Sequence, residues 1–598
     1  MLLDKREQMR YRTLKNWDNP ADLEGLVFFA QLLEELLFDY SLDTYKPSAM
    51  TSSSLCGEAL SLINDIEGEL IDKSNLNHVI EELTFSLRKD EIAKSLLDLD
   101  VETICLKLEL KNNSLQEKRI VLQIIYSQLN PALYKKRAEE MLREAVKKGN
   151  EKNLIRSLTR NYVTTLIGIG YSTRYLYPSV RWAFHSSKKQ IQSASNIDNF
   201  FDLVRGGVYK YVAIFKAAEF FHEIKDSCKE FEIIITDELE GELKTHAENK
   251  KYFINDGSTY LIVQDLEEMD VFSARNDAER RIETLSTLIN LFHHKEIPSW
   301  EKKSLLINLD TNIPRLTNSA QNPMLMCSDN RAPDAALKLN KFINEFSLHE
   351  QHIFEKFFRA TELHSLSLKN DSPENQLLNL WVGLETLAPS KLSRNKAKIN
   401  NIIDSVLPFL TLSYLHTLTK RLAMDFKKWN VVSLNKHTAS ITGDGDREKL
   451  LKLLLLEENK EAKDALFSDL GEFYLLRNRA HYFSTTLGST GKISKLLKTH
   501  WKRVDWQIRR IYRARNLIVH AGHTPKYIDV LIKNLHDYLD VVTNGIVYLA
   551  SKGDQINTVD QAFKYSEIKY QEYIKSLDKS DVAIDINNIE EFLLSKKI

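Results

Sequence analysis

The chain reads as mainly α-helical and multidomain, with a small α+β module set between helical regions. Three observations predict this. Glycine and proline are scarce, at 19 and 12 of 598 residues, so little of the chain is forced into turns. Apolar residues recur mostly at helical spacing, and only the region around 195–330 departs from it, with β-branched runs. At 598 residues the chain also exceeds what one hydrophobic core holds.

Residues 1–190 read as an N-terminal helical domain. Leu26, Phe29, Leu32, Leu33, Leu36 and Leu37 give the stretch from Leu23 to Phe38 a broad apolar face, and Asn75 to Leu99 and Glu117 to Leu129 are patterned similarly. Tyr134 to Arg160 is rich in lysine and arginine but also carries Glu139, Glu140, Glu144 and Glu151, which reads as a solvated helix of mixed charge. The serine-rich stretch Ser186 to Ser195 marks a boundary. In the α+β module, 195–330, Phe231 to Thr236 and Thr259 to Gln264 read as strands, Asn255-Asp256-Gly257 as a turn, and Val271 to His293 as a helix. Pro314 to Pro333 reads as a second linker.

Residues 335–552 return to helix. Leu377, Leu378, Leu380, Trp381, Leu384 and Leu387 make Glu374 to Leu387 apolar nearly all round, with Glu385 embedded, so this helix is expected at the centre of its domain. Ile402 to Leu422 is helical with a break expected at Pro408. A basic helix from Ser494 to Ala521 is closed by Gly522 and Pro525, and a long apolar helix from Lys526 to Leu549 follows. Residues 553–598 read as a polar C-terminal tail.

The totals exclude several classes. A net charge of −1 gives no global attraction to nucleic acid or membrane, so any nucleic-acid site has to be a local patch. Cys56, Cys105, Cys228 and Cys327 are scattered without metal-site spacing, which predicts a reducing compartment. Met1 to Arg6 lacks a signal-peptide core, and no apolar run spans a bilayer, so a cytoplasmic location without membrane contact is expected. Gly488-Ser489-Thr490-Gly491-Lys492 has the wrong spacing for a phosphate-binding loop.

Chemistry concentrates at Arg515-Asn516-Leu517-Ile518-Val519-His520. On an ideal helix Arg509, Arg513, Asn516 and His520 share a polar stripe, while Arg515 falls within the apolar arc and needs an anionic partner. Glu385, on an apolar helix of its own, is the economical choice. Between Lys492 and Arg515 the cations Lys502, Arg503, Arg509, Arg510 and Arg513 are interleaved with Trp501, Trp506 and Tyr512, a pattern suited to phosphates and unstacked RNA bases. Arg477-Asn478-Arg479-Ala480-His481 is similar but one residue shorter, and reads as an ordinary basic helix end.

Arg515-Asn516-x-x-x-His520 resembles the R-N-x-x-x-H signature of the HEPN superfamily, and Leu384-Glu385-x-Leu387 is similar to the early core helix of its Apea-like branch, which is associated with bacterial antiphage defence. The resemblance covers about 335–552, and a long insertion between the two helices departs from it. It implies a C-terminal HEPN-like helical bundle and a metal-independent endoribonuclease in which the ribose 2′-OH attacks the adjacent phosphate. By that resemblance Arg515, Asn516 and His520 are catalytic and Glu385 supports Arg515. Lys502, Arg503, Arg509, Arg510 and Arg513 then bind RNA, with tRNA and mRNA both open as substrates. No cofactor or metal is implied. A homodimer is expected, in the role of a regulated toxin or abortive-infection effector answering a phage-derived trigger or regulatory partner. A non-catalytic RNA- or partner-binding protein and a helical scaffold remain as alternatives.

Overall fold

The computed structural model describes residues 14–38, 50–69, 71–110, 113–255, 257–327, 329–345, 351–389, 398–525, 527–551 and 556–595. The chain opens on helices α1 (Glu24–Leu37), α2 (Ser52–Glu67) and α3 (Ser74–Leu87). α1 buries Leu26, Phe29, Leu32 and Leu33 on the face their spacing predicts. Gly25 is needed where α1 meets the Pro131–Lys148 helix, because a Cβ there would stand 2.2 Å from the Val146 carbonyl oxygen. Thr51 caps α2 by accepting from the Ser54 N–H. Asp90 caps the Glu91–Leu96 helix through Ile92 and Ala93, and also accepts from the buried Tyr134 hydroxyl at 2.7 Å.

A five-stranded antiparallel sheet follows, built from β1 (Tyr209–Ala218), β2 (Ile233–Thr236), β3 (Ser258–Glu268), β4 (Trp300–Asn308) and β5 (Ile313–Asn318) in the order β2-β3-β1-β4-β5. Helix α4 (Val271–Ile289) covers one face with Ala274, Ala278, Ile282 and Leu285, and Tyr252 and Leu239 pack on the other. Both expected strands form. The central strand β1 and the pair β4–β5 were not anticipated, and β5 occupies part of the expected linker at 314–333. Pro314 is tolerated there because β5 is an edge strand.

The C-terminal part consists chiefly of α5 (Gln351–Lys369), α6 (Pro373–Leu387), α7 (Lys398–Thr438), α8 (Tyr474–Thr486), α9 (Thr490–Ala521), α10 (Ile528–Ala550) and α11 (Val559–Asp578). One core joins Trp381 and Leu384 of α6, Val406 and Leu407 of α7, Ile508 and Ile511 of α9, Leu531 and Leu535 of α10, and Phe563 of α11. α7 runs through Pro408 without breaking. It bends instead at Asn430, whose extended backbone lets its own side chain accept from the Val432 and Ser433 N–H groups. Residues 553–598 are not simply a polar tail: Val559, Ala562, Phe563, Tyr573 and Leu577 form a buried stripe along α11.

The described residues divide into two compact units, Thr165–Gln321 and the combination of Met1–Thr164 with Asn322–Ile598. The expected boundaries at 190, 195, 330 and 335 therefore shift. The Thr173–His185 helix belongs with the sheet unit, and the N-terminal helices belong with the C-terminal ones. The reason is long-range packing: α1 lies against α8, and α3 against α9. One helix among the described residues, α7, is long and apolar enough to cross a membrane by length and composition, and 72% of its most apolar window is buried inside the protein.

Candidate functional site

α9 carries the residues singled out from sequence. Ile493, Leu497, Val504, Ile508, Ile511 and Ala514 recur at helical spacing and are buried, which fixes the rotation of the helix. Gly522 ends it in the left-handed region, at φ +62°, with its N–H directed to the Leu517 carbonyl.

That rotation turns two of the expected RNA-binding arginines inward. Arg510 is 1% exposed and Arg513 5% exposed. Arg510 donates to Glu58 at 3.1 Å and Glu82 at 2.6 Å, and Arg513 donates to Glu58 at 2.8 Å. Neither is available to RNA in this structure, contrary to expectation. The acids come from α2 and α3, which complete a neutral four-charge network inside the unit. Burial raises the Glu58 carboxyl, but Arg510 and Arg513 outweigh it and bring it down to about 2. Burial, with the charge of Glu58, keeps Glu82 higher. Arg509 is also largely engaged, donating to Asp505 at 2.8 Å and Asn400 at 3.0 Å. His78 of α3 lies near the same cations, and burial followed by Arg509 and Arg513 pushes its imidazole down to about 4.

Lys502 remains exposed, 3.5 Å from Glu81. Arg503 is half-buried, and burial together with the charge of Arg160 works against its own charge. Lys89, at the end of α3, is disfavoured by burial and then by Arg503 and Lys495. These residues gather positive charge where α3 meets the first half of α9.

Past Arg513 the environment changes. Arg515 donates from Nη1 to the Asn516 side-chain oxygen at 3.0 Å, while its Nε is buried without a hydrogen-bond partner. His520 is exposed, one turn beyond Asn516 and just ahead of the Gly522 cap. The expected Glu385–Arg515 pair is not formed among the described residues. Glu385 accepts from the Trp381 indole N–H at 3.0 Å and pairs with Lys398. Its side chain is 22% exposed, and the neighbouring Val382 is 40% exposed, so α6 is not apolar all round and Glu385 does not need Arg515. The two helices still meet, with the Trp381 and Tyr512 rings 5.4 Å apart.

The stretch 477–481 lies within α8, not at a basic helix end. Arg479 is buried on Glu35 of α1 at 2.6 Å, with Asp425 of α7 at 3.4 Å. Arg477 pairs with Glu24 at 3.0 Å, and Asn478 accepts from Arg156. These residues join helices together.

Although no metal was expected, His364 of α5 with His536 and Asp540 of α10 place three donor atoms within 4.8 Å of one another. The only advance signal was the i, i+4 spacing of His536 and Asp540, since His364 lies 172 residues away in sequence. The partners Glu58 and Glu82 carried no local signal at all.

No protein-family model, curated protein or solved structure matches the chain.

Proposed function

We propose that this chain is a HEPN-type endoribonuclease acting in the cytoplasm, with Arg515, Asn516 and His520 as its reactive group. The observation carrying this reading is the contrast along α9: the cations of 509–513 are neutralised internally, while Arg515 keeps a buried Nε without a hydrogen-bond partner on the last turns of the helix, which also carry the exposed His520. A half-buried guanidinium with one buried nitrogen unpartnered, and no carboxylate paired with it among the described residues, suits an anionic substrate. His520 moves the proton between the ribose 2′-OH and the leaving 5′-oxygen, since an imidazole can both accept and donate a proton. Asn516 holds the Arg515 guanidinium in place. The 2′-oxygen bonds to phosphorus, the 5′-oxygen departs with a proton, and a 2′,3′-cyclic phosphate remains.

RNA contacts are reassigned to the exposed cations Lys495 and Lys502 with Lys89 and the half-buried Arg503, in place of Arg510 and Arg513. A second copy of the chain completes the site by bringing two motifs together across a twofold axis. A regulated toxin or antiphage effector is the role this chemistry fits.

The test is cleavage of a mixed tRNA and mRNA substrate by purified protein, with the new ends analysed chemically. Cyclic phosphate ends from wild type, and none from His520→Ala or Arg515→Ala proteins of unchanged melting temperature, are expected. Undiminished cleavage by His520→Ala rejects the reading, and RNA binding without any cleavage leaves only the non-catalytic alternative.

A further inference from the structure

We propose that His364, His536 and Asp540 form a binding site for a zinc-class divalent cation that ties α5 to α10. The His364 and His536 Nε2 atoms face each other at 2.8 Å, and each stands 3.5 Å from an oxygen of Asp540. The two carboxylate distances are to different oxygens, Oδ1 for His364 and Oδ2 for His536, and one donor atom from each residue lies within 4.8 Å of the others. Zinc–nitrogen and zinc–oxygen bonds of about 2.0–2.2 Å put tetrahedral ligand atoms roughly 3.3 Å apart, so a small side-chain adjustment brings these donors onto one zinc coordination face. The donors also suit the ion, since neutral imidazole and carboxylate are both common zinc ligands.

As a purely protein arrangement the cluster is poorly satisfied. One proton can bridge the two imidazole nitrogens, but 3.5 Å is too long for either to make a good hydrogen bond to the carboxylate. His536 is 3% exposed, so water offers it little compensation. Asp537 and Asp329 both add negative charge around Asp540, and Cys327 lies in the same electrostatic neighbourhood. A cation at the centre of the triangle satisfies all three donors and relieves that repulsion.

The two histidines come from different helices of one core. α5 packs on α6, which carries Glu385, and α10 packs on both α6 and α9. A bound ion there stabilises the bundle as a cross-link does, independently of whether the chain cleaves RNA. The assignment rests on the donor geometry and does not depend on the ribonuclease reading.

The experiment uses the full chain, stripped with chelator and dialysed, then titrated with zinc chloride and separately with cobalt chloride. One equivalent per chain, a rise in melting temperature on adding zinc, and visible absorption typical of tetrahedral cobalt are expected. His364→Gln and Asp540→Asn change partly exposed side chains, so both proteins should fold. Each should weaken zinc binding at least about tenfold, the loss that follows even from removing an outer-shell partner. The double variant should show no zinc-dependent rise in melting temperature. Wild type that binds no more zinc than the double variant, or single variants that bind it as tightly as wild type, overturn the assignment.

Discussion

Residues 509–513 and 515–520 occupy successive turns of α9, and both are rich in groups that bind anions. In the first stretch, Arg510 and Arg513 are closed off by Glu58 and Glu82. In the second, Arg515 donates to the neutral Asn516 oxygen and meets no carboxylate among the described residues, and its Nε is buried without a hydrogen-bond partner. The difference comes from the neighbouring helices. α2 and α3 supply carboxylates to one side of α9, whereas Glu385 of α6 is already held by Trp381 and Lys398. A run of basic residues is therefore two structures in sequence, one closed by buried ion pairs and one with a buried nitrogen left unpartnered and an exposed histidine.

The largest effect should come from breaking the closed network. Arg510→Ala leaves two buried carboxylates short of a cation and should cost about 3–5 kcal/mol in denaturant unfolding. Arg515→Ala breaks no ion pair among the described residues and should change stability by less than about 1 kcal/mol while removing the proposed RNA cleavage. Equal losses of stability in the two variants would erase the distinction between the stretches.

Acid should expose the same contrast. Glu58 and His78 both bind protons more weakly in the folded chain than in the unfolded one, so protonation favours unfolding. Stability should fall as pH drops from about 6.5 toward 4 through His78, and again from about 4.5 toward 2 through Glu58. His78→Gln should make the upper segment shallower and leave the lower one unchanged, with His500 and His536, which burial also pushes down, to about 3 and about 4, supplying the rest of the upper slope. Denaturation midpoints collected across that range check it, and an unaltered upper slope counts against the His78 assignment.

Smaller effects concern surface charge and the helix end. Lys89→Glu with Lys495→Glu should weaken RNA binding without altering the melting temperature. Each lost phosphate contact should also lower the slope of log affinity against log salt by roughly 0.7. Gly522→Ala forces a side chain into φ +62° and should cost about 1 kcal/mol while disturbing the turn that presents His520. A melting curve identical to wild type would show that the cap is not under this constraint.

Much of this was legible from local pattern. The apolar stripes of α1, α6, α9 and α10 and the Gly522 stop are properties of a few turns of chain, and the helices stand close to where periodicity puts them. β1 was not legible, because Val212, Ala213, Ile214 and Phe215 form a continuous apolar run buried on both faces and show no alternation. The partner of Arg515 was misjudged for a related reason. Periodicity shows that a charge lies on an apolar face but does not show which distant charge meets it, and a one-turn neighbour such as Trp381 can already satisfy a carboxylate. α11 was legible in its spacing and was masked by the overall polarity of its segment.

The closed network also imposes a schedule on synthesis. Glu58 and Arg510 are 452 residues apart in the chain, so at about 5–20 residues per second the acids of α2 and α3 wait roughly 20–90 s for their cations. During that interval the N-terminal helices lack their partners on α8 and α9, while all five strands of the sheet unit, which lie within Thr165–Gln321, have been made. The last strands of that unit leave the ribosome before the first residue of α9 is made. A chain released early, anywhere before Arg510, therefore carries unpaired carboxylates in place of a finished core and lacks the 515–520 stretch altogether. Products truncated there are expected to be less stable than the full chain, because the carboxylates of α2 and α3 never meet Arg510 and Arg513.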